Sequence, residues 1–442
     1  MNTILTGYEV SGATWFYLSL LLILTVFFRF NRFWSVRNLD LTLLLLTSPG
    51  LLLIEYDRTF GYGWLFSVAG LFLLRVFFDP LFERRPRLDQ NLNVAGLWFL
   101  CASTFAFLMA IIITQPVSES TAQVVRRADQ MIRRQETVEQ PAVGGPATSL
   151  LAAPVVLASG SEPLDLPERD AGLEVIAARS LAILAHTAMI AALLLIGRWH
   201  FGDLQIGLAM ATLYLLLPCT ALDVGQVNHV LPSALILWAF VCVQRPVLAG
   251  LFMGLACGTV FFPVFLLPLW FAFYRWRGSL RFGGAMAATG TLLAGTYALT
   301  SADVRSFSRQ ILGSIDWSVL EFHSGTGDGF WSSYDSAWRI PVVAAYAIML
   351  VVLTIWPARK NLEHLIASSA AAVIGTQFWY PQQGGVYVLW YLPLALLLVF
   401  RPRLLSHVAP EFRQQTAAVP QSPVRRQREP VASGAGLSQF LR

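Results

Sequence analysis

Charge is scarce in this chain. Only 13% of its 442 residues are Asp, Glu, Lys or Arg, while 56% are hydrophobic. A soluble domain ordinarily carries about 25% charged residues. An ordinary water-facing surface is therefore excluded for most of the molecule, and the mean hydropathy of +0.59 points to lipid as the solvent. Lysine is rarer still. Lys360 is the only one, and every other basic side chain is arginine. So global a bias is a property of the composition, with a GC-rich genome as its simplest source, and not the mark of one phosphate site. The four cysteines, Cys101, Cys219, Cys242 and Cys257, all fall in apolar helical stretches, which excludes a secreted-type disulfide framework. There is no CxxC, HxxE or HExxH spacing for zinc, and no Walker loop or dinucleotide fingerprint. No cofactor, metal or nucleic-acid partner is expected; a divalent cation at external carboxylates has no motif behind it.

What the chain has instead is long apolar runs, and these read as an all-α, polytopic integral membrane protein. About 13 helices are expected, roughly at 12–28, 39–54, 62–79, 94–114, 177–196, 204–221, 227–243, 247–259, 261–274, 283–299, 340–356, 363–379 and 383–400. Orientation follows from arginine, because cationic short loops stay cytoplasmic. The first ten residues hold no Lys or Arg, so no basic leader region is expected. Arg29, Arg32 and Arg37 follow the first helix, and Arg84, Arg85, Arg87, Arg198, Arg245, Arg275, Arg277, Arg359 and Arg401 recur in later short loops. An outside N-terminus and a cytoplasmic C-terminus put all of them inside.

That pattern holds only if residues 247–274 turn back on themselves. Each half of this stretch is about half the ~20 residues of a comfortable crossing. Both of its ends carry arginine, and it breaks at Thr259–Pro263. A short broken hairpin is expected, with its tip as a candidate site wall, because irregular backbone at membrane depth must be buried in protein or line a cavity. Two tightly packed helices with a proline kink are the plainer alternative.

Two long external loops are expected. In 115–176, Val117, Val124, Val125, Ala128 and Ile132 recur near helical spacing among charges, as in an amphipathic helix lying on the membrane surface. Within 138–172, the stretch Pro141–Pro163 is rich in Pro, Gly, Ala and Ser, and its SLLAAPVVLA is too short to span and is expected at most to dip into the interface. The second loop, 300–339, interleaves Asp316, His323 and other charged residues with Trp331 and further aromatics. Rings cover the apolar face of a sugar while carboxylates accept from its hydroxyls; the plainer reading is an interfacial aromatic belt. Gln226, Asn228 and His229 lie where the chain turns into a helix. Asn228 is expected to cap that helix, while for Gln226 and His229 capping and holding substrate hydroxyls both stay open. Arg75 and Asp79, four apart, read as a helix-face ion pair.

With these residues in view, 178–277 resembles the central part of the bacterial polyprenyl-phosphate-dependent mannosyltransferases of the GT-C superfamily, a family once catalogued as a domain of unknown function. The similarity runs through ARSLAILAHTAMIAALLLIGRWHFGD, then DVGQVNHVLPSALILWAF, then QRPVLAGLFMGLACGTVFFPVFLLPLWFAFYRWR, and the final FWYPQQGGVYVLWYLPLALLLVFRPR resembles that family's last crossing. The resemblance implies transfer of a sugar, with mannose foremost, from a polyprenyl-phosphate donor to a glycan, lipid or protein acceptor at the external face of a bacterial inner membrane, among membrane lipids. It implies inversion at the anomeric carbon and a carboxylate base in the first external loop, for which Glu119 and Asp129 stand nearest. Gln226, His229, Asp316, His323, Trp331, Arg305 and Arg309 are the substrate-binding candidates. The chain departs from the family at the hairpin tip, where Thr259 stands in place of a lysine, and in offering a glutamate where an aspartate is usual.

The expected organisation is N-terminal helices over 1–92, a GT-C-like core over 93–403, and a disordered basic cytoplasmic tail over 404–442. Two other functions stay open: a catalytically inactive scaffold or glycolipid-binding relative, and a secondary transporter using the broken hairpin. Against the transporter, no internal repeat of 178–277 is found, and few charges lie at mid-membrane depth.

Overall fold

The structure, a computed structural model, describes residues 3–5, 10–79, 90–133, 144–160, 167–301, 304–305, 307–308, 329–404 and 407–410. The expectations for Arg309, Asp316, His323 and the tail beyond 410 lie outside the described residues. Apart from a small ribbon, β1 (Thr3–Leu5) with β2 (Val10–Ser11), the described elements are helical. In chain order come α1 (Gly12–Phe27), α2 (Val36–Ile54), α3 (Arg58–Phe77), α4 (Val94–Thr114), α5 (Glu119–Ile132), α6 (Pro146–Gly160), α7 (Pro167–Trp199) and α8 (Leu204–Leu216). They are followed by α9 (Pro218–Leu222), α10 (Val227–Val241), α11 (Pro246–Cys257), α12 (Leu267–Thr300), α13 (Arg339–Ile355), α14 (Leu362–Trp379) and α15 (Val388–Phe400).

Short polar side chains start many of these helices. Ser35, Asp57, Asn93, Ser118 and Asp203 each accept a hydrogen bond from the first turn of α2, α3, α4, α5 and α8, satisfying donors that lipid could not. In the Glu55–Arg58 turn, Asp57 is thus the N-cap of α3. By length and composition, α2, α3, α4 and Gly172–Trp199 of α7 are long and apolar enough to cross a membrane, and seven further apolar helices are shorter. This is a multi-pass membrane protein, but a count of 13 crossings is not confirmed. One physical reason is Pro218, which cannot continue α8 and splits the expected 204–221 helix in two.

The hairpin is drawn by three contacts. Tyr274 Oη donates to Val243 O at 2.8 Å, so the chain returns from the tip to the foot of α11. Arg275 then takes φ 57°, outside helical geometry, and the rest of α12 runs back alongside α11. The seam is Gly250, Gly254 and Gly258, one turn apart. A Cβ at these positions would stand 2.3 Å from Phe282 O, 3.0 Å from Thr289 Cβ and 2.6 Å from Leu293 Cδ1. Small residues at this spacing let two helices approach backbone to backbone without side chains between them. α11 is only about 18 Å long. Its tip therefore ends beside Leu293, short of the end of α12.

At the opposite end of the bundle, α2, α3, α14 and α15 are joined by ions. Arg75 reaches Asp40 at 2.6 Å and Asp79 at 2.9 Å, and Arg401 bonds both Asp79 and, at 2.7 Å, Glu363. The helix-face pair expected for Arg75 and Asp79 is present, but it belongs to a buried network that the spacing alone could not show.

Candidate functional site

The hairpin tip is not free. Gly145 N donates to Thr259 O at 2.6 Å, and Ala147 N to Gly258 O at 2.9 Å. The first N–H groups of α6 thus satisfy the last carbonyls of α11, two helix ends that would otherwise each need water. A Cβ at Gly145 would lie 2.2 Å from Gly258 O, so a larger residue cannot make this junction. SLLAAPVVLA, expected to dip into the interface, is the body of α6.

Against this junction stands the turn from α9 into α10. Two elements hold it. Ser120 Oγ donates to Gln226 Oε1 at 2.6 Å, and Thr121 Oγ1 donates to Gly225 O at 2.9 Å and accepts from Val227 N at 3.3 Å. His186 Nε2 donates to Val224 O at 3.0 Å, with Tyr214 Oη on its other nitrogen. The start of α10 is therefore capped from α5, and the capping role expected of Asn228 is not found. Asn228 sits inside the first turn, where its side chain cannot reach back to the free N–H groups. Its Oδ1 and Nδ2 are buried and make no hydrogen bond.

Asn228 has company. Thr148 Oγ1, Asp223 Oδ2 and His229 Nδ1 are likewise buried without a hydrogen-bond partner. Gly144, at φ 87°, links the first two: a Cβ there would be 3.1 Å from Asn228 Oδ1 and 3.3 Å from Thr148 Oγ1. His229 Nδ1 and Asp223 Oδ2 are 3.5 Å apart. Arg127 of α5 reaches Gly144 O at 3.4 Å. Burial pushes its guanidinium down from the ordinary value, and Tyr297 nearby counters this. Arginine nevertheless stays charged.

An aromatic wall completes the cluster. His229 meets Tyr387 edge-on at 4.9 Å, Tyr387 stacks on Trp390 at 4.0 Å, and Trp390 stacks on Phe262 at 4.5 Å. Phe261, at the hairpin tip, stacks on Tyr380 at 4.6 Å. Trp390 Nε1 donates to Asn228 O at 3.3 Å and so fixes the wall to α10. A native interior satisfies nearly all its buried polar groups. Other buried polar atoms among the described residues also lack a partner, Ser19 Oγ and Trp270 Nε1 among them, but here four lie together beside a cation and next to the rings, as a site for a polar ligand with an apolar sugar face would show.

The sequence candidates divide. Gln226 and His229 belong to the cluster. Glu119 opens α5, 68% exposed, and pairs with Arg126 at 2.8 Å; Asp129 pairs with Arg133 at 2.8 Å. Arg305 is exposed. Trp331 is 7% exposed, and its indole donates to Phe378 O. The expected amphipathic helix is present as α5, but its apolar face packs on α6 and α7 rather than being left for lipid. Sequence reading passed over Asp223, Thr148 and Tyr387. Asp223, two residues before GQxN, could have been noticed as a carboxylate beside an imidazole; Thr148 could not, because only the α6–α11 junction brings it here.

The model of glycosyltransferase family 87 matches residues 145–380, just over half of the chain. The stretch begins at Gly145, which meets the hairpin tip, and contains Thr148, Asp223, Asn228 and His229. No curated protein and no solved structure is matched.

Proposed function

The chain belongs to glycosyltransferase family 87 and is a membrane glycosyltransferase, and from that premise we propose that it moves a sugar from a polyprenyl-phosphate carrier to an acceptor hydroxyl at the hairpin-tip cluster. The orphaned polar atoms of Thr148, Asp223, Asn228 and His229 beneath the Tyr387–Trp390 wall carry this reading. In the reaction the acceptor oxygen bonds to the anomeric carbon as the carbon–phosphate oxygen bond breaks. The acceptor proton passes to a carboxylate, and polyprenyl phosphate leaves with the bonding pair. Such a step needs a base near the acceptor and donors or cations near the phosphate. Arg127, Thr148 and the Asn228 amide supply the second set, and the rings supply a platform for the sugar.

Two assignments of the base compete. The resemblance favours Glu119 or Asp129. Geometry favours Asp223, whose Oδ2 has no hydrogen-bond partner while the other two are held by arginines. Apo salt bridges alone do not disqualify a base. The sugar is proposed to be mannose, the membrane a bacterial inner membrane with the cluster facing outward, and the helices before residue 93 an addition to the GT-C-like core. Proteoliposomes supplied with a panel of polyprenyl-phosphate sugars test this, with wild type beside Glu119→Gln, Asp129→Asn and Asp223→Asn. Transfer by wild type that is lost in one variant identifies the base. If wild type binds a donor without turnover, the scaffold reading replaces the enzyme, and if it binds none, the donor class is wrong.

A further inference from the structure

Away from the hairpin-tip cluster, the feet of α10 and α11 border a cavity of about 410 Å³ that the transfer reaction does not use. His200, Arg245, His407 and Gln244 face it, and Trp199 stands at its edge, 59% exposed. Among the described residues, no carboxylate lines it.

The cavity is built and not incidental. The residues after α15 are folded back on α14: Leu362 N donates to His407 O at 2.8 Å, and His407 N to Leu404 O at 3.0 Å. Those two bonds fix the His407 backbone, and the ring it carries has a buried Nδ1 without a hydrogen-bond partner. His200, 7% exposed, donates from Nε2 to Val241 O at 3.0 Å. That bond matters for charge, because the carbonyls at a helix C-terminus carry partial negative charge. With Val241 O occupied, the end of α10 repels an anion less. On the facing side α11 begins at Arg245 and Pro246 with no side-chain cap, so its first N–H groups add a positive end. Glu363, on the neighbouring helix, is engaged by Arg401 and by Leu404 N. Burial holds the His200 imidazole below its ordinary value, and the approach of His407 adds to that.

We propose that this cavity binds a phosphate monoanion or diester, either the headgroup of an anionic lipid or free phosphate, against Arg245 and His407, with His200 in the wall beside them and Trp199 as its interfacial rim. Basic pockets between membrane helices recognise phosphate headgroups by such chemistry, and a tryptophan indole anchors well at the headgroup level. The site is separate from the transfer cluster and does not depend on the transfer reading.

The full chain in phosphatidylcholine nanodiscs doped with phosphatidylglycerol tests it, with retained lipid counted by native mass spectrometry. Wild type is expected to retain phosphatidylglycerol in preference to phosphatidylcholine. The double variant R245Q/H407Q is expected to retain about tenfold less, the loss of one charge-assisted contact or more. Cys242→Phe fills the cavity, keeps every charge and is expected to lose the lipid as well. Arg277→Gln removes an exposed arginine outside the cavity lining and should match wild type. Displacement by millimolar inorganic phosphate assigns the site to the phosphate alone, while retention against it assigns the site to the lipid headgroup. Equal retention by wild type and both cavity variants, or no preference for phosphatidylglycerol over phosphatidylcholine in wild type, overturns the proposal.

Discussion

The two ends of α15 treat buried polarity in opposite ways. Near Arg401, three carboxylates and two guanidiniums are buried or half-buried, and each is held by an opposite charge even though Arg401 Nε has no hydrogen-bond partner. Near Tyr387 and Trp390, an amide, a hydroxyl, a carboxylate oxygen and an imidazole nitrogen are buried with no hydrogen bond at all. An unpaired polar atom in a dry interior costs about 1–3 kcal/mol. A fold carries several of them together only where something else completes them. The ionic end is thus architecture, tying α2 and α3 to α14 and α15, and the orphaned end is where a ligand is expected.

Breaking the ionic end should have the largest effect. Arg75→Met leaves Asp40 and Asp79 short of a shared cation in a buried setting, at a cost of about 3–5 kcal/mol. Little monodisperse protein is expected after detergent extraction, and activity should fall only in proportion to the folded fraction. A variant with normal yield and melting but no transfer would erase the contrast drawn here. Asp223→Asn should behave in reverse. The melting temperature is expected to stay within a few degrees of wild type while transfer drops by about 10²–10⁴-fold, the span of a lost general base. If Glu119→Gln shows that drop and Asp223→Asn does not, the base lies on α5.

The contrast sharpens at Asn228. Replacing an unsatisfied buried amide with a leucine removes a desolvation penalty, so Asn228→Leu should melt no lower than wild type, and up to about 1 kcal/mol higher, while the donor KM rises. A clear drop in stability would mean that the amide is satisfied in the folded protein and is no orphan. The smallest effect is expected at Ser120→Ala. It removes the bond to Gln226 and should cost about 1 kcal/mol by thermal unfolding. A larger loss of transfer than of stability there would show that the α5–α10 clasp also sets the geometry of the cluster.

The helical class, most helix positions and the broken hairpin were legible because they rest on local signals. Apolar runs, the break at Thr259–Pro263 and paired arginines act within a few residues of one another. The role of Asn228 was misread for the same reason. Capping is a local inference, whereas the group that caps α10 is Thr121, 106 residues away. Likewise α5 was recognisable as amphipathic, but nothing in its own residues could show that α6 and α7 cover its apolar face.

Composition and periodicity by themselves determined that this chain lives in lipid as helices, since only helices and closed barrels satisfy a backbone there and its long continuous apolar runs lack the alternation of barrel strands. Tertiary structure alone decided which polar groups find partners. Arg75 and Asp79 are four residues apart, yet their network closes only through Asp40 and Arg401. Thr148 and Asn228 are 80 residues apart and meet only because the α6–α11 junction brings Gly144 between them. Burial is set by chain neighbours, but satisfaction is set by which helices dock, and the docking separates this protein's scaffold from its site.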